Sequence, residues 1–400
     1  MVTTFLPVVS NNLPPIIGSF HFWAPLFILT VIVFHYRLFL YKQVFLLILF
    51  AIVFFYPKLF WPAINDWNST AIRFEFYYLI VSTIILWYFL SSKDYKGLVS
   101  ISVITFTFII ITSILSIYSS IIDPLYARSI TGGRLDEDTL ATFQRIGGGG
   151  YGFATSIITL FPVLMYHLKR NQKEVIKFLL FALIILLFYT LIRLQFFANI
   201  IIGSFVIIIS FSGLKNLRKS LLLSFLLVLF VLIIPLEVYA SFFKHISSYF
   251  DPSSETYLKL DDMASFFISD GVYEDETGTG YRLYRYFTLF EGFIQAPLLG
   301  IASNRYIYYD ESGAHLFWIN KLSVFGLVAF IVYLKLIIKN INISIKHLIS
   351  DSMKFFYFLS VVGLLSIGII KNIAGREPWI IAFVIIPGLL NLKFIKSKFI

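Results

Sequence analysis

The chain has 400 residues, of which 58% are hydrophobic and only 14% charged, and its mean hydropathy is +0.85. That composition excludes a soluble globular domain, because repeated apolar runs of about 20 residues are what a bilayer requires. The net charge of +10 does not point to nucleic acid, since the lysines stand in short loops between apolar runs, and the absence of cysteine excludes disulfides and thiol chemistry.

The opening, Met1 to Gly18, is uncharged and has no basic n-region followed by a cleavage site, so it reads as a short translocated tail rather than a signal peptide. Apolar stretches follow at roughly 17–36, 44–61, 74–91, 98–122, 151–168, 176–192, 195–212, 221–240, 319–338, 353–371 and 378–392. They predict an all-α integral membrane protein with about 11 transmembrane helices and one large outer loop carrying short amphipathic helices. The positive-inside bias puts Arg37–Lys42, Lys93–Lys96, Lys169–Lys177, Lys215–Lys219, Lys335–Lys354 and Lys393–Lys398 in the cytoplasm. The N-terminus is then outside and the C-terminus inside, with Trp61, Trp67, Trp318 and Trp379 at outer boundaries.

In this orientation 15 of the 20 lysines are cytoplasmic, whereas 9 of the 12 arginines face outward. The positive-inside bias counts both cations alike, so the outward arginines need another reason. Guanidinium grips phosphate oxygens bidentately, which predicts an outward-facing site for a phosphorylated ligand.

The expected layout has three parts: a bundle over 1–240 with an Arg/Gly-rich outer loop near 123–150, a large outer loop over 241–318, and C-terminal spans with a cytoplasmic tail over 319–400. The first long loop carries Arg128, Arg134 and Arg145, then Gly147–Gly150. Those glycines read either as a flexible hinge or as a place where backbone amides approach a phosphate. The second holds Arg282, Arg285, Arg305 and His315, and its aromatic content (Tyr249, Phe250, Tyr257, Phe266 among others) argues against disorder. From Arg282 to Phe293 apolar residues recur at helical spacing, with Arg282 and Arg285 on one face and Pro297 and Gly300 ending the helix. Two readings stay open: arginines turned to a ligand cavity, or arginines snorkelling to lipid phosphates from an interfacial helix. Asp270 and Glu274–Glu276 lack the order of a calcium loop. His21, His35, His167, His245 and His347 show no ligand spacing, and Arg376 with Glu377 reads as a boundary ion pair.

Arg282–Gly300, followed by Asp310-Glu-Ser-Gly-Ala-His315-Leu-Phe-Trp-Ile-Asn-Lys-Leu-Ser-Val-Phe-Gly326-Leu-Val-Ala-Phe330, resembles the O-antigen polymerase and O-antigen ligase superfamily. The matching elements are Gly-x-Arg, an aromatic-rich helix, Pro-Leu-x-Gly, a variable stretch, a His at the next span, and an aliphatic-Gly-aliphatic run. Arg145 with Gly147–Gly150 is similar to an Arg-plus-glycine element of the family, and Arg193 sits where relatives often carry an outer arginine. Ligases tend to follow the His with Asn; Leu316 after His315 departs from that and tilts the resemblance toward an O-antigen or capsular repeat-unit polymerase.

The resemblance implies a polyprenyl-diphosphate-linked oligosaccharide substrate, handled on the outer face of a bacterial inner membrane without cofactor or metal. Arg282 and Arg285 would be the first diphosphate contacts, Arg193 and Arg145 the second, and Tyr281 and Tyr284 would orient sugars. His315 is a candidate base, with Glu291 as fallback; an interfacial His capping the next span is the plainer reading of His315. A chain-length regulator protein is a further implied partner, and nucleic acid is not. The rival readings are an O-antigen ligase, a lipid-linked oligosaccharide flippase, and a lipid-sugar glycosyltransferase with an acidic catalytic residue in its first outer loop, where Asp66, Arg73 and Glu75 lie.

Overall fold

The computed structural model describes residues 1–36, 42–60, 69–124, 126–127, 130, 137–211, 236–252, 255–268, 279–301, 316–373 and 375–392. Its helices are α1 (Val2–Phe5), α2 (Pro7–Asn12), α3 (Pro15–Gly18), α4 (Phe20–Phe34), α5 (Lys42–Phe60), α6 (Ser69–Ser91), α7 (Tyr95–Ile122), α8 (Glu137–Ile146) and α9 (Tyr151–Arg170). They continue as α10 (Glu174–Leu194), α11 (Phe197–Phe211), α12 (Leu236–Ser247), α13 (Glu255–Ile268), α14 (Thr279–Gln295), α15 (Phe317–Lys346), α16 (Asp351–Ile370) and α17 (Glu377–Leu390). No strand occurs among the described residues.

Among the described residues, five stretches are long and apolar enough to cross a membrane: Tyr95–Ile122, Ala141–Arg170 (interrupted by the glycines at 147–150), Glu174–Leu194, Phe317–Lys346 and Asp351–Ile370. Shorter apolar helices occupy Phe20–Phe34, Val44–Val53, Tyr77–Ser91, Phe197–Phe211 and Glu377–Leu390. The protein is therefore an all-α membrane protein. Every expected stretch except 221–240 coincides with a helix; most of that one lies outside the described residues. One boundary differs clearly. α15 runs on to Lys346, past the expected end at 338, so part of the lysine-rich connection is helical.

The packing of α7 shows which solvent the bundle is built for. Its exposed flank is Val103, Ile104, Ile111, Ile114, Ile121 and Ile122, while Ser102, Thr105, Thr112, Ser113, Ser116, Ser119 and Ser120 are buried. A water-soluble helix would invert that pattern. In lipid, apolar side chains face outward and small residues inside let backbones approach closely. Gly388 of α17 exploits this: a Cβ there would stand 2.0 Å from Ser102 Oγ and 2.8 Å from the Leu98 carbonyl. Ser102, Ser113 and Ser116 return their hydroxyls to carbonyls one turn back at 2.7, 2.8 and 2.7 Å. Thr112 donates across to the Phe5 carbonyl at 2.8 Å and ties α1 to α7.

One buried polar chain is closed from within the bundle, as hydrocarbon demands. Trp87 Nε1 of α6 donates to Asn340 Oδ1 of α15 at 3.1 Å, and Asn340 Nδ2 donates to Thr83 Oγ1 at 2.7 Å. α9 is buried from Phe153 to His167 and packs against α10, α11, α16 and α17. α17 contains a fully buried π turn, Ile381–Ile385, just before Pro387.

Candidate functional site

The segment after α14 and the middle of α15 form one joint. α15 breaks at Gly326, whose φ of 73° and ψ of 177° suit glycine alone. The break removes the helical acceptors of Leu327 and Val328. The carbonyls of Pro297 and Leu298 replace them, accepting from Leu327 N–H at 2.8 Å and from Val328 N–H at 3.2 Å. A Cβ on Gly300 would meet the Val324 carbonyl at 2.2 Å, and one on Gly326 would meet the Leu298 carbonyl at 2.5 Å. The Pro-Leu-Leu-Gly element and the Gly326 element of the sequence thus dock directly on one another.

This joint fixes how α14 lies. Gly292 approaches α15 so closely that a Cβ would stand 2.7 Å from Ser323 Oγ. Tyr286 donates its hydroxyl to the Ile369 carbonyl at the end of α16. Leu289 and Arg285, three and seven residues before Gly292, share its face of the helix. Both are buried, Arg285 to 6% exposure. Phe287, Phe290 and Ile294 are exposed on the remaining surface, giving α14 an apolar outside and a guanidinium inside. Glu291 is exposed as well and does not share the Arg285 face, so α14 does not bring this candidate base beside that arginine. Arg282, Tyr281 and Tyr284 are helical in α14, but their side chains lie outside the described residues; His315 and Arg305 lie wholly outside them.

Lys321 is a functional candidate that the sequence reading passed over. It sits near the start of α15 with 2% exposure, its Nζ 5.0 Å from the centre of the Phe317 ring. The signal was present, because an ionisable residue inside an apolar stretch is a functional candidate by default. The tally of outer lysines absorbed it.

Arg193 and Arg145 belong to a different corner. Arg193, in the last turn of α10, donates from Nε to Ser120 Oγ at 2.8 Å and from Nη2 to the Ser120 carbonyl at 2.6 Å. That carbonyl belongs to the last turn of α7, where acceptors lack helical partners and a cation is favourable. Arg193 therefore acts as a cap on α7. Arg145 is exposed at the end of α8, and its carbonyl accepts from Asn12 Nδ2 at 3.4 Å. Arg128 and Arg134 lie outside the described residues.

The glycine run next to Arg145 is neither a loose hinge nor, at Gly149, an open amide cradle. Gly149 N–H donates to Ser116 Oγ at 2.8 Å, and its carbonyl accepts from the Tyr126 hydroxyl at 3.3 Å. Gly147, at φ 81°, leaves no space for a Cβ, which would stand 2.3 Å from Val8 N. The four expected arginines thus stand on two structural units, with Arg193 and Arg145 flanking α7 and Arg282 and Arg285 on α14.

A third group gathers where α4 and α17 begin and α6 passes them at Tyr77. The Arg376 guanidinium lies 5.3 Å from the Phe20 ring centre, and its Nε is 3.9 Å from Glu377 Oε1. His21 stacks on Tyr77 with centroids 5.8 Å apart and planes 27° apart. Gly375, at φ 95°, brings this turn against α9: a Cβ would stand 3.5 Å from Gly152 Cα. The ion pair agrees with the sequence reading of Arg376 and Glu377, but the assembly around it was invisible there. No family model matches the chain, and no curated protein matches it.

Proposed function

We propose that the protein is a repeat-unit polymerase of the O-antigen polymerase and ligase superfamily, working on the outer face of a bacterial inner membrane. In this reading the chain has about eleven spans, an outer N-terminus, a cytoplasmic C-terminus and a large outer loop near 241–318. A hydroxyl of one lipid-linked repeat unit attacks the anomeric carbon of the glycan on another. The bond to the lipid diphosphate breaks, and the diphosphate leaves with the electron pair. Arginines stabilise the charge that grows on it, since a guanidinium fork matches two phosphate oxygens at once.

The observation that carries the reading is Arg285, buried on the inward face of a helix whose outward face is apolar. A snorkelling arginine would turn to the headgroups; this one turns to the bundle. Arg282 precedes it by one turn. Arg193, engaged with Ser120, and the exposed Arg145 become supporting contacts at most. His315 stays the first candidate for the base that takes the acceptor proton, and Tyr281 and Tyr284 for sugar contacts. Lys321 is the observation favouring the second reading, a lipid-linked oligosaccharide flippase, because carriers place charges within spans.

Deletion separates the readings. Loss of a polymerase leaves single repeat units on the final acceptor. Loss of a ligase leaves none there, with lipid-linked glycan accumulating outside, and loss of a flippase strands lipid-linked units on the cytoplasmic side. Arg285→Lys and Arg282→Lys are each expected to remove most long-chain glycan at unchanged protein level, since an ammonium cannot reproduce the fork. Normal chain length in both would sink the proposal.

A further inference from the structure

We propose that His21, Tyr77, Arg376 and Glu377 form a saccharide-binding subsite where α4, α6 and α17 meet, separate from the α14 arginines. Three distant parts of the chain meet there: the first turn of α4, the early part of α6 and the start of α17. The Arg376–Glu377 pair, at 3.9 Å, is side by side rather than tightly closed, with both side chains mostly buried. Beside it, Phe20 lies under the guanidinium, and the His21 and Tyr77 rings stack. The Tyr77 hydroxyl is buried and has no hydrogen-bond partner among the described residues. Groups of that kind are costly, and a ligand hydroxyl would satisfy this one.

The Arg376–Glu377 pair, with the Met1 ammonium near Arg376, offers a ligand both signs of charge. A phosphate would meet the Glu377 carboxylate, and a metal ion would meet the Arg376 guanidinium. A neutral ligand rich in hydroxyls can donate to the carboxylate, accept from the guanidinium and do either with the phenol. Its apolar ring face suits aromatic walls, the common pattern of a small-molecule site with few convergent polar groups. A sugar ring meets all of these conditions. On the polymerase reading, on which this assignment of ligand rests, the occupant is a sugar of the acceptor repeat unit.

The test uses the full-length protein in detergent, titrated with the repeat-unit oligosaccharide released from the cell's own lipid carriers by mild acid. This probe carries no diphosphate. Saturable binding is expected for the unmodified protein. Tyr77→Phe should weaken it by about 5–10-fold, the worth of one hydrogen bond, and Glu377→Gln by tenfold or more, as for a bond to a charged group. Tyr77→Phe is the decisive variant, because a hydroxyl without a partner can be removed without lowering the melting temperature. No binding by the unmodified protein, or unchanged binding by both variants, overturns the subsite. The failures are distinguishable: if Arg285→Lys keeps long-chain glycan while Tyr77→Phe still weakens oligosaccharide binding, the polymerase reading falls alone. If Arg285→Lys loses long-chain glycan and oligosaccharide binding ignores both subsite variants, the subsite falls alone.

Discussion

Two glycine-bearing elements on the expected outer side look alike in sequence and do different work. At the α7 corner, the glycine run is pinned at Gly149 by the Ser116 hydroxyl and by Tyr126, and Arg193 closes the last turn of α7. At the α14–α15 joint, Gly300 and Gly326 let a loop lend its carbonyls to a broken helix, and the helix leading into that loop carries a buried arginine. In the first corner the cation completes a scaffold. In the second the scaffold positions the cation. Whether an arginine braces the fold or is carried by it therefore depends on the packing around it, which no count of outer arginines reveals.

The strongest way to break this contrast is Gly326→Ala. Its backbone conformation costs a non-glycine residue about 1–3 kcal/mol, and the added Cβ strikes backbone that cannot move without undoing the joint. We expect a total loss of roughly 3 kcal/mol or more, seen as a lower melting temperature in detergent and depleted protein in the membrane. Gly147→Ala is the matching variant in the other corner. Its clash is with the Val8 backbone in the short α2, and the strain at its positive φ alone costs about 1–3 kcal/mol, so its loss stays below that of Gly326→Ala only if α2 yields. Equal losses would mean that the two elements are the same kind of scaffold.

Arg193→Lys sharpens the comparison at the next scale. Lysine cannot serve Ser120 Oγ and the Ser120 carbonyl together as the guanidinium does, so one charge-assisted bond worth about 1.5–3 kcal/mol is lost in part. The melting temperature should fall, with long-chain glycan reduced only as far as protein level falls. If glycan disappears while the melt stays unchanged, Arg193 returns to the ligand-binding set and the cap is incidental.

Most of the helices were legible because a bilayer makes run length the dominant signal. Phe197–Phe211 and Asp351–Ile370 lie within a few residues of where apolarity alone puts them. The inward stripe of α7 was legible too, since Ser102, Thr105, Thr112, Ser116 and Ser119 recur at helical spacing. The joint was half legible. Pro297, Gly300 and Gly326 stood out as a pattern, but that one supplies acceptors to the break in the other is a tertiary fact. The cap on α7 and the group around Arg376 were not legible at all. His21 and Arg376 lie near opposite ends of the chain, and only the packing of α4, α6 and α17 brings them together.

The smallest expected effect bears on the second corner alone. Tyr286 anchors α14 to α16 independently of the glycine joint, and burial raises its phenol above the ordinary value near 10. Below about pH 10 the phenol is protonated in both folded and unfolded chains, and the anchor contributes in full. Above that pH the unfolded chain loses the proton first, so stability falls as pH rises toward the folded-state value. Tyr286→Phe should cost about 1 kcal/mol at neutral pH and flatten this part of the alkaline decline in melting temperature. If the decline is unaltered in the variant, the tyrosine is not what holds α14 to the bundle. The glycine joint would then fix the orientation of Arg285 by itself.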